Sequence, residues 1–525
     1  MVTLSQPTTL LYSWRTALIF AALIAKFILA VQPSYIHPDE FFQSFQIIYN
    51  DNLPWEVAEK GNINRSIVPL LITHYPVIWF GTKVGLDPFQ IYLLVRIQLT
   101  IVSWIITDWC LYRLAPLKHE RIKATLFTMT SYLTLVHQTH TFSNSMETCL
   151  LLPTLYIVND IRSYLERNTP GQSYSVVKLC ALGALISLGV FNRITFPAWI
   201  LIPSFFLLKF FLKHPFISFI PIIIFILTSV LFIVVDSLYY STAPSYVIAP
   251  LNNLVYNIST DNLRIHGIHP RYTHILINYP QMVGPLFFMI FPFTRTYTRT
   301  TTFLAVISGF LTLSIFPHQE LRFLLPAVPL LSTLISFSNP AFSILKKYFK
   351  IALSLWLIYS SILSVFYGDF HQAGIIPAIA EINDNVLTSS LSISSSSHTT
   401  TLLFWRTYPP PTWMLDKTLL PNPLYLSKHD DGTIPLDSPY CNRNYVIDLM
   451  GSSLETLLAV GNKMSSSCPK NNIYLVAPVN AMLDIDTSSY SIIWKTFWHL
   501  DMDHFEYDKH GIDTFTPGLG IYNLM

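Results

Sequence analysis

Residues 14–43 read WRTALIFAALIAKFILAVQPSYIHPDEFFQ, an apolar run that ends in a polar, acidic segment. The apolar part, 14–31, approaches the ~20 residues with which a helix crosses a hydrocarbon core. It contains Lys26 and lacks a small-residue cleavage site, so we expect an uncleaved signal anchor rather than a removable signal peptide. We therefore expect a membrane helix that leads into a loop with two adjacent carboxylates.

The composition is that of a membrane protein. Of the 525 residues, 51% are hydrophobic and only 12% are charged, about half the charged fraction of a typical soluble domain. So few charges cannot cover a water-facing surface, and we predict an α-helical polytopic membrane protein. The net charge of +2 gives no indication of a nucleic-acid partner.

Apolar runs recur along the first two-thirds of the chain. Together with the first run, they predict about eleven transmembrane helices. The further candidate spans are 90–112, 123–140, 145–161, 174–192, 196–213, 216–235, 275–292, 302–317, 322–338 and 351–367. Residues 66–84 are also apolar enough to cross. A crossing there would place the basic residues of 113–123 on the side of the polar loops, so we expect a re-entrant or juxtamembrane segment.

Basic residues fall on one side of the predicted bundle. With a cytosolic N-terminus, the loops that face the cytosol carry Arg113, Lys118, Arg121, Lys123, Arg162, Arg167, Lys178, Lys209, Lys213, Arg295, Arg299, Lys346, Lys347 and Lys350. The polar loops 32–65, 140–145, 192–195, 236–274 and 317–322 then share the luminal side, as do the glycosylation sequons at Asn64 and Asn257. An odd number of crossings places the C-terminus in the lumen.

The apolar pattern ends near residue 370. We predict a transmembrane module over 1–370 and a small mixed α/β luminal domain over 371–525. In that domain 472–479 and 490–497 have the composition of short strands, and a Ser/Thr-rich stretch near 388–401 indicates a flexible loop.

The cysteines are too few for a disulfide scaffold. Cys110, Cys149 and Cys180 fall in apolar stretches, where a thiol packs as a small hydrophobic side chain. Cys441 and Cys468 lie in the polar C-terminal part. A luminal location would let these two pair, although they could equally be free thiols.

The segment His37-Pro38-Asp39-Glu40 opens a predicted helix. Proline suits the first helical position, and the polar and apolar residues after it separate onto two faces, which indicates a helix lying in the membrane surface. On one interpretation, Asp39 and Glu40 only complement the dipole at a helix N-terminus. On the other, a carboxylate held at the lipid–water boundary acts as a general base.

Four further polar clusters face the predicted lumen. They are His137, His140, Asn144 and Glu147; Asn192 and Arg193; His266, His269, Arg271, Tyr272 and His274; and His318, Gln319, Glu320 and Arg322. Ionisable groups at membrane depth are costly and usually functional, so the clusters predict a polar cavity that opens to the lumen. A structural role is favoured for His137, Glu147 and His274. The histidines lack metal-ligand spacing, so we expect no metal.

Glycosyl transfer from a lipid phosphate fits this set of residues. The leaving group is already a stable anion, so the reaction needs cations that hold the phosphate and one carboxylate that accepts the proton of the attacking hydroxyl. Arginine suits the phosphate because its fork is planar and always charged. Arg193 and Arg322, each beside the luminal end of an apolar run, are the candidates.

Several motifs resemble those of a known family. They are His37-Pro-Asp-Glu40, Thr141-Phe-Ser-Asn-Ser-Met-Glu147, Phe191-Asn-Arg-Ile-Thr-Phe-Pro197 and Pro317-His-Gln-Glu-Leu-Arg-Phe-Leu-Leu-Pro326, which together extend over most of the membrane part. These motifs are similar to those of glycosyltransferase family 22, mannosyltransferases that use dolichyl phosphate mannose. Leu321 stands where relatives commonly have proline, but Glu320 and Arg322 are retained.

The resemblance implies a fold and an activity. The fold is the C type of glycosyltransferase, the donor is dolichyl phosphate mannose, and no cofactor is required. Within the family, residues 250–257, 266–274 and 366–374 resemble the fungal enzymes that add the fourth mannose to glycosylphosphatidylinositol (GPI) precursors. This implies inverting transfer of an α-1,2-linked mannose to the third mannose of a GPI glycolipid, in the lumen of the endoplasmic reticulum.

The resemblance also implies roles for individual residues. Asp39 is the implied base, Glu40 is the alternative, and His37 orients the acceptor or the loop. The predicted substrate-binding residues are His37, Gln43, Asn144, Arg193, His266, His269, Arg271, His318, Gln319, Glu320 and Arg322.

Two alternatives stay open at this point. The reaction could be another one of family 22, adding the third GPI mannose or extending an N-glycan lipid precursor. A polytopic transporter or lipid scramblase would also need a polar cavity. However, no pair of broken helices is visible in matching halves, and the polar residues crowd one side instead of the midplane.

Overall fold

The structure, a computed structural model, describes residues 7–58, 62–115, 121–167, 173–241, 246–259, 262, 264, 267–287, 297–335, 349–388, 399–428, 433–436 and 441–524. The chain divides into two compact units. The helical unit comprises Met1–Ala30, Leu53–Val84 and Leu93–Ile362, and the C-terminal unit comprises Val31–Asn52, Gly85–Tyr92 and Leu363–Met525. The division predicted at residue 370 differs from this one because the acidic segment 31–52 packs with the C-terminal residues.

The helical unit is built from α-helices, two of which run on into the C-terminal unit. The helices are Pro7–Ala30, Trp55–Ala58, Val68–Thr73, Tyr75–Lys83, Pro88–Leu114, Arg121–Met129, Tyr132–Leu135, Ser143–Arg167, Val176–Asn192, Phe196–Ile200, Ser204–Lys213, Pro215–Tyr239, Ala249–Ile258, Tyr279–Val283, Thr301–Leu313, Ala327–Ser332 and Phe349–Val365. Short 3₁₀ or π segments lie at His137–Thr139, His274–Asn278, Gly284–Leu286 and Leu321–Leu324. Prolines open several helices because a fixed φ and a missing N–H suit the first turn.

Three helices among the described residues are long and apolar enough to cross a membrane. They are Pro88–Leu114, Pro215–Tyr239 and Lys350–Phe370, and Val176–Asn192 and Thr301–Leu313 are shorter apolar helices. The predicted α-helical class is therefore confirmed, whereas the count of about eleven crossings stays a prediction.

Several predicted spans are broken in the structure. The candidate span 196–213 is interrupted around Pro203 and forms Phe196–Ile200 and Ser204–Lys213. Near residue 284 a second break occurs, where Gly284 has a φ of 45° and follows Tyr279–Val283. A proline removes a helical hydrogen bond, and a positive φ is adopted most readily by glycine, so both breaks have local causes.

A third break, in the candidate span 123–140, is stabilised by a buried cation. Arg121–Met129 and Tyr132–Leu135 are separate helices, and the chain then turns at His137–Thr139. Arg96 is fully buried and donates to the carbonyl oxygens of Thr139, at 3.2 Å, and Leu29, at 3.0 Å. The guanidinium thus satisfies carbonyl groups at the end of this turn and at the end of the helix Pro7–Ala30.

Small residues bring helices of this unit into close contact. A Cβ added to Gly183 would lie 2.4 Å from the carbonyl oxygen of Pro221, so the helices Val176–Asn192 and Pro215–Tyr239 meet backbone to backbone there. A Cβ on Gly309 would lie 2.3 Å from the ring of the buried Trp199. Such close approaches are typical of helix packing in membranes, where van der Waals contact drives association.

The C-terminal unit contains one mixed sheet of six strands. They are β1 (Thr399–Phe404), β2 (Leu424–Ser427), β3 (Tyr445–Asp448), β4 (Asn471–Pro478), β5 (Tyr490–Thr496) and β6 (Leu519–Leu524), in the order β2-β3-β1-β4-β6-β5. Pairs within β2-β3-β1-β4 are parallel, and β6 pairs antiparallel with β4 and β5. The predicted small mixed domain is confirmed.

Helices of the C-terminal unit are short except for one. They are Asp39–Phe42, Phe45–Tyr49, Ile375–Glu381, Leu454–Ser467 and Tyr507–His510, with further short 3₁₀ and π segments. Leu454–Ser467 connects β3 with β4, which lie parallel on either side of β1, and parallel strands of one sheet need such a long crossover connection. Of the predicted Ser/Thr-rich loop 388–401, residues 389–398 lie outside the described residues, and 399–401 belong to β1.

Cys441 and Cys468 are joined by a disulfide, with their Cα atoms 5.1 Å apart. Cys468 is the residue that ends the helix Leu454–Ser467, and Cys441 lies shortly before β3. The bond therefore links the C-terminal end of the helix Leu454–Ser467 to the residues just before β3. It decides between the two possibilities that the sequence left open.

Breaking this disulfide is expected to destabilise the C-terminal unit. The bridge closes a loop with a sequence separation of 27, for which the chain-entropy relation gives about 3 to 4 kcal/mol. Cys441→Ser should lower the thermal unfolding midpoint of the purified full chain, and Cys180→Ser, which removes a free thiol, should leave it nearly unchanged. Equal midpoints for both variants, with no mobility change of the wild type on reduction, would contradict the bond.

Candidate functional site

The acidic segment forms a tight turn followed by two short helices. Backbone N–H groups of Phe41 and Phe42 donate to the carbonyl oxygen of Pro38, both at 3.1 Å, which starts the helix Asp39–Phe42. A break at Ser44, with φ −137° and ψ −91°, separates it from Phe45–Tyr49. The single surface helix that we predicted here is therefore wrong. Phe41 and Phe45 are both buried, and both rings contact that of Trp413.

Asp39 carries a partly exposed carboxylate held by its neighbours. Its side chain is 24% exposed, and Oδ2 accepts a hydrogen bond of 2.7 Å from Nε2 of Gln43. Nδ1 of His37 lies 3.7 Å from Oδ1, and the same nitrogen accepts the backbone N–H of Asp39 at 3.1 Å. Because Nδ1 is an acceptor, it carries no proton in this arrangement. His37, Asp39 and Gln43, which the sequence proposed together, thus form one group.

Glu40 has a different environment from its neighbour. Its side chain is fully buried, and Oε1 accepts a hydrogen bond of 3.1 Å from the hydroxyl of Tyr92. The backbone carbonyl of Glu40 accepts from the hydroxyl of Ser44. Of the two adjacent carboxylates, Asp39 is therefore the accessible one.

Two arginines of the helical unit meet at the start of a long helix. Nη1 of Arg193 donates to Oγ of Ser143 at 2.9 Å and to Oδ1 of Asn144 at 3.3 Å. Nη1 of Arg65 approaches the same Ser143 hydroxyl at 3.4 Å. Ser143 is the first residue of the 25-residue helix Ser143–Arg167, whose N-terminal dipole favours anions. The arrangement places two guanidinium groups where an anion is favoured.

Each of these arginines has a carboxylate partner. Nε of Arg193 lies 3.3 Å from Oε2 of the fully buried Glu147, whose Oε1 accepts the hydroxyl of Thr195 at 2.8 Å. Nε of Arg65 donates to Oε1 of Glu56 at 3.0 Å. These pairs fix the guanidinium planes and neutralise cations that burial would otherwise penalise. Glu147 accordingly has the structural role that its position in the sequence favoured.

A third arginine, Arg322, contacts the same aromatic ring as Arg193. Cζ of Arg193 lies 5.1 Å from the ring centroid of Phe323, and Cζ of Arg322 lies 5.7 Å from the same centroid. Arg322 also pairs with Glu320 through a close contact between Nε and Oε2. The predicted residues Asn144, Arg193, Glu320 and Arg322 are thus brought together within one unit.

His318 is held so that both ring nitrogens act as donors. Nδ1 lies 3.0 Å from the carbonyl oxygen of Gly267, which can only accept, and Nε2 lies 2.8 Å from Oε1 of Glu320. Burial lowers the pKa of His318, but the hydrogen bond and the charge of Glu320 raise it, and the net result is a pKa above the ordinary value. The geometry therefore favours an imidazolium ion.

Other predicted contacts serve the loop itself. Gln319 is 2% exposed, its Oε1 accepts the backbone N–H of His274 at 2.8 Å, and its Nε2 donates to backbone carbonyls. The backbone N–H of His269 donates to the carbonyl oxygen of Pro317 at 2.8 Å, and Arg271 is exposed. The side-chain amide of Gln319 is occupied by backbone groups. Gln319 therefore stabilises the loop and is not the substrate contact that we predicted. His266 lies outside the described residues.

Residues 17–416 match the Alg9-like mannosyltransferase family. The chain belongs to this family. The predicted resemblance to glycosyltransferase family 22 is thereby confirmed, and this member of the Alg9-like family is a glycosyltransferase. Similar proteins include "GPI mannosyltransferase 4" of Debaryomyces hansenii, 38% identical over 553 residues that cover 98% of this chain and 99% of the relative. The protein of the same name from Candida albicans is 38% identical over 535 residues and is covered to the same extent.

A solved structure shares the fold of this mannosyltransferase. It is ArnT from Cupriavidus metallidurans bound to undecaprenyl phosphate, with a TM-score of 0.50, 10% identity and coverage of 97% of this chain and 98% of ArnT. At this identity the likeness concerns the fold alone. It agrees with the C-type glycosyltransferase fold that the motifs implied.

Sequence reasoning missed Arg65 and Glu56 of this mannosyltransferase. They lie in the polar loop 32–65, but no spacing connects Arg65 with Ser143, which is 78 positions away. The signal available in the sequence was a pair of opposite charges nine positions apart in one polar loop. Asn64 of the neighbouring sequon is 4% exposed, which is unfavourable for a glycosylated side chain.

One cluster of metal-binding residue types occurs in the part of the C-terminal unit that the structure describes. Ligand atoms of Asp484, Glu506 and His510 lie within 4.8 Å of one another. Asp484 pairs with Lys509, and Glu506 pairs with Arg406. Both carboxylates are thus already neutralised by cations, so the cluster is explained by ion pairing.

The contact between His318 and Glu320 is expected to depend on pH. The folded state raises the pKa of His318 above the ordinary ~6.5, so the stabilisation is fully present below ~6.5 and is lost as pH rises through the folded-state pKa. The difference in thermal midpoint between wild type and His318→Gln should therefore be largest near pH 5.5 and should shrink by pH 8.5. A difference that grows with pH would show that His318 is neutral.

Proposed function

We propose that this chain transfers mannose from dolichyl phosphate mannose to the third mannose of a GPI precursor, in α-1,2 linkage, and so forms a four-mannose GPI. The observation that carries the proposal is the 38% identity, over 98% of the chain, to relatives named GPI mannosyltransferase 4. The matched region covers 98% of this chain, and it therefore spans the parts of the chain that hold the acidic segment, the arginines and the C-terminal unit. The substrates are two lipids, so the reaction takes place at a bilayer and involves no nucleic acid.

Asp39 is proposed as the general base. The acceptor hydroxyl must lose a proton as it attacks the anomeric carbon, and a positioned carboxylate can accept it. The exposed fraction of Asp39 and the full burial of Glu40 favour the first of the two carboxylates. The hydrogen bond from Gln43 orients the Asp39 carboxylate, and His37 flanks it. Attack on a β-linked donor from the opposite face would give the α-linked product.

The arginines are proposed to hold the donor phosphate. The phosphate leaves as an anion without protonation, so fixed cations stabilise the charge that develops on it. Arg193 and Arg322 flank one aromatic ring, and Arg65 shares the Ser143 hydroxyl with Arg193. The carboxylate partners keep these cations in place in the absence of substrate, which reduces the reorganisation that the reaction requires. No metal or other cofactor is assigned a step.

The endoplasmic reticulum is the proposed location, with a cytosolic N-terminus and a luminal C-terminus. The disulfide between Cys441 and Cys468 supports a luminal C-terminal unit, because disulfides persist in oxidising compartments. The positive residues of the predicted cytosolic loops support the same orientation. A transporter or scramblase is not favoured, because the chain belongs to a family of transferases.

Substitution of Asp39 is expected to abolish transfer. Microsomes given radiolabelled dolichyl phosphate mannose and a three-mannose GPI lipid should form a labelled four-mannose product. Asp39→Asn should reduce the rate by about 10² to 10⁴, the usual contribution of a general base. Glu40→Gln retains a side-chain acceptor for the Tyr92 hydroxyl and serves as the matched control, with a smaller effect on rate.

The same assay tests both the base and the acceptor. Full activity of Asp39→Asn at wild-type protein level would contradict the role of Asp39. Labelling of a two-mannose GPI or an N-glycan precursor, with no labelling of the three-mannose GPI, would move the chain to another reaction of its family.

Replacing the arginines with lysine is expected to weaken donor binding. Lysine keeps the charge but loses the planar fork, so Arg193→Lys should raise the KM for dolichyl phosphate mannose about 10-fold or more. Arg162→Lys is the control, since Arg162 lies near the other end of the helix Ser143–Arg167 and pairs with Glu166. Equal KM values for the two variants would contradict a phosphate contact by Arg193.

A further inference from the structure

We propose that Trp413 of the C-terminal unit is a positioning residue for the transfer reaction. The indole lies on the 3₁₀ turn Thr412–Met414 and packs against the helix that directly follows the Asp39 turn. The proposal rests on the proposed role of Asp39 as the base. It gives a residue that follows β1 in the sequence a part in catalysis, without contact between Trp413 and substrate.

Trp413 makes two stacked contacts with one short helix. Its ring centroid lies 4.4 Å from that of Phe45, with 7° between the planes, and 5.0 Å from that of Tyr49, with 11° between the planes. Phe45 and Tyr49 are four residues apart on the helix Phe45–Tyr49, so they lie on the same face. Two parallel contacts one turn apart fix both the position and the rotation of this helix.

A second anchor holds the chain just before the acidic turn. The buried Tyr35 donates its backbone N–H to the carbonyl oxygen of His371 at 3.3 Å and its hydroxyl to the carbonyl oxygen of Pro409 at 3.1 Å. Its ring also lies edge-on to that of Tyr408, with centroids 5.4 Å apart. The acidic turn is therefore held on both sides, by Tyr35 before Asp39 and by Phe45 and Tyr49 after it.

Both anchors include residues of one stiff segment. We call residues 408–413 the proline strap, because its sequence is Tyr-Pro-Pro-Pro-Thr-Trp. Proline fixes φ, so three prolines in succession keep the Pro409 carbonyl and the Trp413 ring at a nearly constant separation. The strap begins four residues after β1, which lies inside the sheet between β3 and β4. The sheet thus provides a rigid base for the acidic turn.

The two anchors would place the Asp39 carboxylate accurately. A displacement of about 1 Å at a reacting group can reduce the rate about 10²-fold. Loss of the Trp413 ring leaves the side chain of Asp39 chemically intact but removes the contacts that fix the following helix. The expected defect is therefore in kcat, whereas binding of dolichyl phosphate mannose through the arginines is unaffected.

The experiment compares four single variants of the full-length enzyme. Trp413→Ala should lower kcat at least 10-fold and leave the KM for dolichyl phosphate mannose within about twofold. Trp413→Phe should recover most of kcat, since a phenyl ring can still stack and the Trp413 indole N–H has no hydrogen-bond partner among the described residues. If Trp413→Ala does not accumulate, Trp413→Leu replaces it, and the same changes in kcat and KM are expected.

Trp405→Phe is the matched control for stability. Trp405 is also fully buried in the C-terminal unit, but it packs in the core of the sheet and its indole N–H donates to the carbonyl oxygen of Ser452 at 2.8 Å. This variant should lower the thermal midpoint with little effect on kcat. Two outcomes would overturn the proposal and leave Trp413 as a purely structural residue. One is that kcat and thermal midpoint fall in parallel for the Trp413 and Trp405 variants. The other is that Trp413→Phe recovers none of the lost kcat.

Asp39→Asn, measured in parallel, separates this proposal from the proposed function. If Asp39→Asn is inactive and Trp413→Ala retains its kcat, only the positioning role fails. If Asp39→Asn is active, the role of Asp39 as base fails, and the positioning role fails with it. A Phe45→Ala, Trp413→Ala double variant should be no slower than the slower single variant, because both changes remove the same contact; multiplicative losses would contradict the coupling.

Discussion

A charge that is removed from water must be paired, and this constraint governs the polar interior of the helical unit. Arg193 pairs with the fully buried Glu147, Arg65 with Glu56, and Arg96 with backbone carbonyls at a helix break. An unpaired buried cation would cost several kcal/mol, so each pair is a condition for placing an arginine there at all. The same pairs keep the guanidinium groups charged and oriented, which is what recognition of a lipid phosphate requires.

Two adjacent carboxylates with different surroundings illustrate how local burial assigns chemistry. Asp39 is partly exposed and is oriented by Gln43, whereas Glu40 is buried against the Tyr92 hydroxyl. A proton acceptor must reach its substrate, and a buried carboxylate can instead hold a turn in place. On the proposed mechanism, the same chemical group serves two purposes in consecutive residues. The side of the turn on which each residue lies decides which purpose it serves.

The residues proposed to act in this mannosyltransferase lie at breaks in regular structure. Arg193 follows the helix Val176–Asn192, Ser143 opens the helix Ser143–Arg167 shortly after the 3₁₀ turn His137–Thr139, and Asp39 starts a single turn of helix. At such ends the backbone leaves N–H and C=O groups without helical partners, and polar side chains supply the missing hydrogen bonds.

The sequence by itself determined the membrane class, the family, the mixed C-terminal domain and the position of the acidic segment, because hydropathy, short motifs and residue order are local properties. It also selected Arg193 and Arg322, since a charge beside an apolar run is visible without a structure. Tertiary structure alone decided that Arg96 contacts the chain after the helix break near residue 130, that Cys441 and Cys468 are bonded, that Arg65 meets Ser143, and that Trp413 stacks on Phe45. These features join residues tens to hundreds of positions apart, and only packing brings such residues together.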